Sequence, residues 1–354
     1  MERKIRIAQW GIGKMGSRMV RYAVEHGGQI VAGIVHSPKD AGFDVGHFAG
    51  TEPLGVLTKT ADQARTVLLE AQPDIVMIAT RGSMKDLREP LLICAECGVN
   101  ALTIGEQALW PWTEEPEITA EIDRAFQEAG VTCSASGCPE VAWGSLASTL
   151  SGSCARIDKL QVTGILNLED YGSLTFLYEN HGVGLTPEEF REKFCAHDGE
   201  PMEDGHAPCY PGDQNGWLCA YMDLHITRQY ATNIPFLAEA DVYSKNLDRT
   251  IPKGHVIGAR KLVVSETAEG VTVEFGLAGK IYTPGDYDHY EISVFGEPNT
   301  TIVMGSPDTP VFTCATPVNR IPDVINARPG FVTTEEFPRN LYRSRPLNEY
   351  VDLP

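Results

Sequence analysis

The run Gly11-Ile12-Gly13-Lys14-Met15-Gly16 constrains this chain more than any other segment, because of what flanks it. Before it lies Ile5-Arg6-Ile7-Ala8-Gln9-Trp10, an apolar stretch of strand type, and after it residues 15–26 carry amphipathic helical spacing. A G-x-G-x-x-G run that follows a strand and opens a helix is the turn that receives a dinucleotide pyrophosphate. Gly11 permits the tight turn, Gly13 lets the backbone approach the phosphates, and Gly16 lets the helix pack against the sheet with its amino end aimed at the anion. Ile12, Lys14 and Met15 complete the candidate cradle.

Downstream the same alternation repeats. Segments 30–36, 74–80, 100–104 and 131–135 read as strands, whereas 61–71, 87–97 and 114–129 read as helices, the last two closing on Gly98 and Gly130. The core of 74–80 is apolar enough to be buried on both faces, as strands of parallel sheets are. Alternating elements of this kind build a doubly wound parallel sheet, so the fold class is α/β and residues 1–140 are expected to form a Rossmann domain with ligands at the carboxyl ends of its strands.

After Gly137-Cys138-Pro139 the texture changes. A helix over about 141–150 leads into strand-like runs at 157–168, 173–178, 238–243, 255–265, 271–278, 289–295 and 300–304, with helices at 187–194 and 216–230. Residues 141–311 are therefore expected to form an α+β second domain with a largely antiparallel sheet. A helix over 311–326, despite Pro317 and Pro322, opens a C-terminal segment, 312–354, whose remainder is irregular.

Size and charge narrow the function. A chain of 354 residues exceeds one doubly wound unit, and a net charge of −19 repels nucleic acid and anionic membranes. No apolar run reaches membrane length and none has the form of a secretory signal. Nine cysteines, an odd number scattered through the chain, favour reduced thiols and a cytoplasmic setting. Cys94-Ala95-Glu96-Cys97 has redox spacing but falls inside an apolar helical pattern. Cys195, His197, His206 and Cys209 read either as zinc ligands or as parts of a solvated acidic loop; the expectation is a protein without a metal.

Cofactor choice rests on the end of the second strand. An NAD site carries a carboxylate there, on the ribose hydroxyls. Here that position is His36, followed by Ser37, Pro38 and Lys39, which offer donors and a positive charge. The loop favours NADP(H), with NAD(H) still possible should the strand end later and Asp40 take the acidic role. Thr80 and Arg81, after the strand 74–80, are placed to line the nicotinamide side, although Arg81 also has acids within its own loop.

Thr103-Ile104-Gly105-Glu106 sets a carboxylate just past a buried strand, beside the apolar Ala108, Leu109, Trp110, Pro111 and Trp112. Such surroundings disfavour the charged form and lift the carboxyl pKa toward a range useful for proton transfer. Position alone does not separate this role from that of a surface glutamate capping the next helix.

The sequence Gln9-Trp10-Gly11-Ile12-Gly13-Lys14-Met15-Gly16, Glu106 with Trp110-Pro111-Trp112, and the later Asn319-Arg320-Ile321-Pro322 and Ala327-Arg328-Pro329-Gly330 resemble the 2,4-diaminopentanoate dehydrogenase family and its amine dehydrogenase relatives. The resemblance spans nearly the whole chain. It implies the fold shared with dihydrodipicolinate reductases: a Rossmann domain, a β-rich domain for substrate and dimerisation, and a C-terminal segment returning to the first domain. It also implies NAD(P), a homodimer, and Glu106 as catalytic acid/base in the reversible reductive amination of a ketone or aldehyde by ammonia. The chain departs from the family pattern at Cys138-Pro139-Glu140, where relatives carry Asn-Pro-Gly.

Under that reading Cys138, Trp143, Tyr171, Phe176 and Tyr178 are candidates to enclose a small ketone or amine, core packing being the alternative for each aromatic. His181 stands at the pocket mouth or in an exposed loop. Basic residues between 138 and 181 are confined to Arg156 and Lys159, which offers no evident anchor for a diamino acid carboxylate and favours a simpler ketone. The His-His pair of dihydrodipicolinate reductases and the Glu-Lys-Pro of sugar oxidoreductases are absent. A non-enzymatic NADP(H) sensor is the remaining alternative.

Overall fold

The computed structural model describes residues 3–170, 180–202 and 210–351, and the chain divides into two compact units, 1–142 with 308–354, and 143–307. The first unit opens with β1 (Arg6–Trp10), α1 (Lys14–Glu25), β2 (Gln29–Val35), α2 (Val45–Ala49), β3 (Lys59–Thr60), α3 (Ala64–Ala71), β4 (Ile75–Ile78), α4 (Met84–Glu96), β5 (Asn100–Thr103), α5 (Pro116–Ala129) and β6 (Thr132–Ala135). The strands lie parallel in the order β3-β2-β1-β4-β5-β6, the doubly wound order, whose direction of winding reverses between β1 and β4. Every side chain of β4 is buried, as expected of a central strand covered by helices on both faces.

The second unit carries α6 (Leu146–Ser151), β7 (Arg156–Asn167), α7 (Pro187–Phe194), α8 (Tyr210–Tyr221), β8 (Ile226–Leu237), β9 (Val242–Ser244), β10 (Arg249–Ile251), β11 (Val256–Thr267), β12 (Thr272–Lys280), β13 (His289–Glu297) and β14 (Thr300–Gly305). Six of these strands form a sheet in the order β14-β13-β7-β12-β11-β8, and β9 pairs with β10. The sheet is antiparallel except between β7 and β12, because β7 inserts between two strands that follow it in the chain. The helix expected over 216–230 is corrected. Asp223 takes a left-handed φ of 56° just past the end of α8, and β8 then pairs with β11 from Ile226 to Leu237, where Ile226, Thr227, Tyr230, Thr232 and Ile234 suit a strand. The expected strand at 173–178 lies outside the described residues.

The chain then returns to the first unit through α9 (Thr309–Asn326) and β15 (Gly330–Phe331), which pairs in parallel with β6 and extends the first sheet to seven strands. Val318, Ile321 and Val324 of α9 join Ile7, Met19 and Val20 in one core cluster. Pro317 and Pro322 are accommodated within α9, and the tail supports it: Asn340 donates to the Thr316 carbonyl at 2.9 Å and Arg343 to the Asn319 carbonyl at 3.1 Å.

Candidate active site

The glycine turn sits where the winding of the sheet reverses. Gly11 has φ +84° and its amide donates to the Ile34 carbonyl at 2.8 Å; a Cβ there would collide with the Ala79 carbonyl after β4, and one at Gly16 would collide with the carbonyl of Gly11. Gly13 is the N-cap of α1, and among the described residues it has no side-chain cap and a Cβ built on it would meet no atom within 4 Å. The amino end of α1 thus faces open space with its amides uncapped, which fits the pyrophosphate of a dinucleotide. Ile12 and Met15 turn into the core cluster, while Lys14 is exposed.

Beneath the turn lies a residue whose role the sequence did not reveal. Gln9 is fully buried, and its Nε2 donates to the Gly11 carbonyl at 3.0 Å, so both polar groups of the Gly11 backbone are tied down. β2 ends at Val35, which leaves His36 as the first residue past the strand. Ser37 caps the short turn Pro38–Asp40 by accepting from the Lys39 amide, His36 and Lys39 are exposed, and Asp40 lies five residues beyond the strand end. Thr80 and Arg81 are exposed past β4, and Arg81 pairs loosely with Asp86 at 3.7 Å, its side chain 85% accessible.

Glu106 follows β5. Its backbone is held from both sides: the Gly105 amide donates to Thr103 Oγ1 at 3.0 Å, and Gln107 accepts from the Met84 amide at 2.6 Å while donating to Glu114 at 3.0 Å. A Cβ on Gly82 would stand 3.2 Å from the Glu106 amide nitrogen, so the loops after β4 and β5 touch here. The Glu106 residue is exposed to solvent although its carboxyl lies close against the loops after β4 and β5, and no hydrogen bond or ion pair engages its carboxylate among the described residues. Desolvation by the surrounding protein raises its pKa from the ordinary glutamate value. The neighbouring aromatics do other work: Trp112 meets Phe331 edge-on at 6.0 Å, in the core.

Past β6, the next strand, stands a second glutamate in the opposite condition. Glu140 is fully buried; it accepts from Ser136 Oγ at 2.6 Å and from Arg320 Nε and Nη2 at 2.9 and 2.6 Å. Arg320 also reaches Asp323 at 2.9 Å and the Pro338 carbonyl at 2.6 Å, and Arg343 closes the network on Asp323. Burial pushes the Glu140 carboxyl upward while Arg320 pulls it down.

A model of the 2,4-diaminopentanoate dehydrogenase C-terminal domain matches residues 142–341. The chain belongs to the 2,4-diaminopentanoate dehydrogenase family. It is similar to the 2,4-diaminopentanoate dehydrogenase of Acetoanaerobium sticklandii, with 23% identity over 95% of this chain and 94% of that protein. The solved structure of an amine dehydrogenase from Mycobacterium smegmatis covers 97% of this chain, and 99% of its own, with 34% identity and a TM-score of 0.82. A 4-hydroxy-tetrahydrodipicolinate reductase of Methanocaldococcus jannaschii is 33% identical over 130 residues, 36% of this chain and 44% of that protein. As a member of this dehydrogenase family the chain is an NAD(P)-dependent oxidoreductase acting on amines.

The expected pocket residues fare unevenly. Cys138 is buried in the segment after β6. Trp143 is 4% exposed and packs on Phe275 and Tyr290 with centroids 4.9 and 5.3 Å away, within the core of the second unit. Tyr171, Phe176 and Tyr178 lie outside the described residues, as do His206 and Cys209. Of the possible zinc ligands that are described, Cys195 donates to the Asn233 carbonyl and His197 pairs with Glu200. Among the described residues no cluster of three metal-ligating side chains occurs, and no helix is long and apolar enough to cross a membrane.

Proposed function

We propose that this protein is an NADP(H)-dependent amine dehydrogenase that interconverts a small ketone or aldehyde, with ammonium, and the corresponding primary amine. In balance, ketone, ammonium and NADPH give amine, NADP and water. The observation that carries the reading is Glu106: a carboxylate past β5 with a raised pKa and no counter-charge among the described residues, beside the loop after β4 and in the same sheet as the glycine turn.

Gly11 to Gly16 would hold the pyrophosphate, His36, Ser37 and Lys39 the ribose 2′-phosphate, and Thr80 and Arg81 the nicotinamide side. When bound, the nicotinamide supplies or accepts the hydride. Glu106 takes a proton from ammonium as the nitrogen attacks the carbonyl, then returns a proton to the carbinolamine hydroxyl, which leaves as water. The resulting iminium is cationic, and the Glu106 carboxylate stabilises it until hydride arrives. A diamino acid remains the second substrate reading, favoured by the family assignment.

A homodimer through the second unit accompanies this proposal. Ile234, Phe295 and Val303 are exposed, and the pairing register sets them on one face of the six-stranded sheet. Charged replacements such as Phe295→Lys with Val303→Lys are expected to yield monomers by light scattering; an unchanged mass would discard this interface.

The test is a panel of ketones and aldehydes with ammonium and NADPH, run on wild type and Glu106→Ala. Ammonia-dependent NADPH oxidation is expected in the former and its collapse in the latter. A mutant that keeps most of the rate removes Glu106 from the mechanism, and NADPH binding without turnover of any carbonyl substrate would favour a sensor.

A further inference from the structure

Gln9 is fully withdrawn from water in β1, a central parallel strand whose other covered side chains are apolar. Its Nε2 stands 3.0 Å from the Gly11 carbonyl oxygen and 3.5 Å from that of Trp10, so the end of the amide that lies beside two acceptors is the donor. Its Oε1 is buried too, and accepts no hydrogen bond among the described residues. Burying an acceptor without a partner costs stability, and a methionine would fill the same space without that cost. As a packing group Gln9 is therefore a poor choice. What it offers over an apolar residue is the bond from Nε2 to Gly11.

The effect of that bond follows from peptide geometry. The Gly11 amide is held by the Ile34 carbonyl at 2.8 Å, but Gly11, with φ +84° and no Cβ, leaves the next peptide, between Gly11 and Ile12, free to turn over. In a trans peptide the C=O and the N–H that follows it point to opposite sides. Gln9 draws the Gly11 oxygen inward, against Gly16, where any Cβ would collide with it. The Ile12 N–H must then point the other way. Neither the Ile12 nor the Gly13 amide has an acceptor among the described residues. A peptide turned over would present the Gly11 oxygen in place of the Ile12 N–H, and that oxygen repels a phosphate.

We infer that Gln9 is a positioning residue for the dinucleotide: it touches no ligand itself, but locks the peptide between Gly11 and Ile12 in the orientation that offers the pyrophosphate an amide and not a carbonyl. The inference rests on the NAD(P) dependence of the family. It depends neither on Glu106 nor on the choice between NADP and NAD.

Equilibrium binding tests it without turnover. In Gln9→Met, which keeps the length and removes the donor, NADPH, NADH and ADP-ribose should each bind about tenfold more weakly, the loss expected of one hydrogen bond to a charged group. Adenosine, which has no phosphate, should bind as it does to wild type. Tm should hold or rise, because the idle oxygen is gone. Gln9→Glu is a second variant of the same shape, whose carboxyl donates to the Gly11 oxygen only while protonated. Its affinity for ADP-ribose should be near that of wild type at about pH 5 and fall as pH rises, with wild type flat across the range. Wild-type affinity in Gln9→Met, or affinity in Gln9→Glu as flat with pH as in wild type, overturns the inference. So does a loss shared equally by adenosine, together with a fall in Tm, which would make Gln9 a core residue only. Tight NADPH binding that depends on Gln9, with no ammonia-dependent turnover, would remove the amination reading and leave the role of Gln9 standing.

Discussion

Glu106 and Glu140 stand just beyond the carboxyl ends of neighbouring strands of one sheet, and desolvation raises the pKa of both, yet one is left free and the other is locked. Glu140 has a hydroxyl and a guanidinium on its oxygens and no access to solvent. Glu106 has solvent access and no partner among the described residues. A displaced pKa therefore does not by itself mark a catalytic group; what separates the two is whether the oxygens are already occupied. The free carboxylate can exchange protons, while the paired one can only hold the chain in place.

The largest expected effect breaks the free member. Glu106→Gln keeps the shape and removes the base, so kcat/KM for amination should fall roughly 10²–10⁴-fold, the span of a general acid/base, with little change in Tm. The same carboxyl fixes a pH signature. Its pKa lies above 4.5, so the ionised base form appears only at higher pH than an ordinary glutamate would give, and the acid limb of log kcat/KM for amine oxidation should be displaced upward. A limb that stays in place in Glu106→Gln would assign it to another group.

The locked member should fail differently. Glu140→Ala leaves Arg320 buried without its main partner, at a cost of about 3–5 kcal/mol read by denaturant unfolding. Replacing both, Glu140→Ala with Arg320→Met, should recover part of that loss, because the uncompensated charge is gone. Stability unchanged in the single variant would show that the network contributes nothing.

The same contrast explains what could be read in advance. The glycine turn, the α/β alternation and Glu106 were legible because each is a local pattern: a spacing, a period, a carboxylate at a strand end. The network of Glu140 was not, since its partner Arg320 is 180 positions away. Gln9 was hidden for a related reason, its bond to Gly11 being a matter of side-chain direction within the turn. Strands β3 and β15 have two residues each, too few for any period to register. The misplaced helix over 216–230 came from joining α8 to a following run whose strand character is set by pairing with β11 across the sheet.

A smaller effect sharpens the cofactor side of the comparison. His36 is exposed at the first position past β2, where a carboxylate would accept from ribose hydroxyls and repel a 2′-phosphate. His36→Asp should shift the ratio of kcat/KM toward NAD by about tenfold, as loss of one charge-assisted contact implies. Unaltered cofactor kinetics would mean that selection lies elsewhere in the loop.

The smallest effect belongs to an ion pair outside the network. His225 and Glu269 meet at 2.8 Å with side chains 73% and 37% accessible, so their attraction is screened and the ordering of both side chains opposes it. The His225 backbone amide, and after it the imidazole, lowers the pKa of Glu269 to about 2, and Glu269 raises that of His225. The pair's contribution is therefore fully present between the unfolded values of 4.5 and 6.5, fading as pH falls toward 2 or rises through the folded histidine value. His225→Ala should barely move Tm at pH 5.5, and even that difference should vanish at high salt or at pH 9. A Tm loss comparable to that of Glu140→Ala would mean that solvent access does not separate the two pairs, and the distinction between locked and free carboxylates would then need another basis.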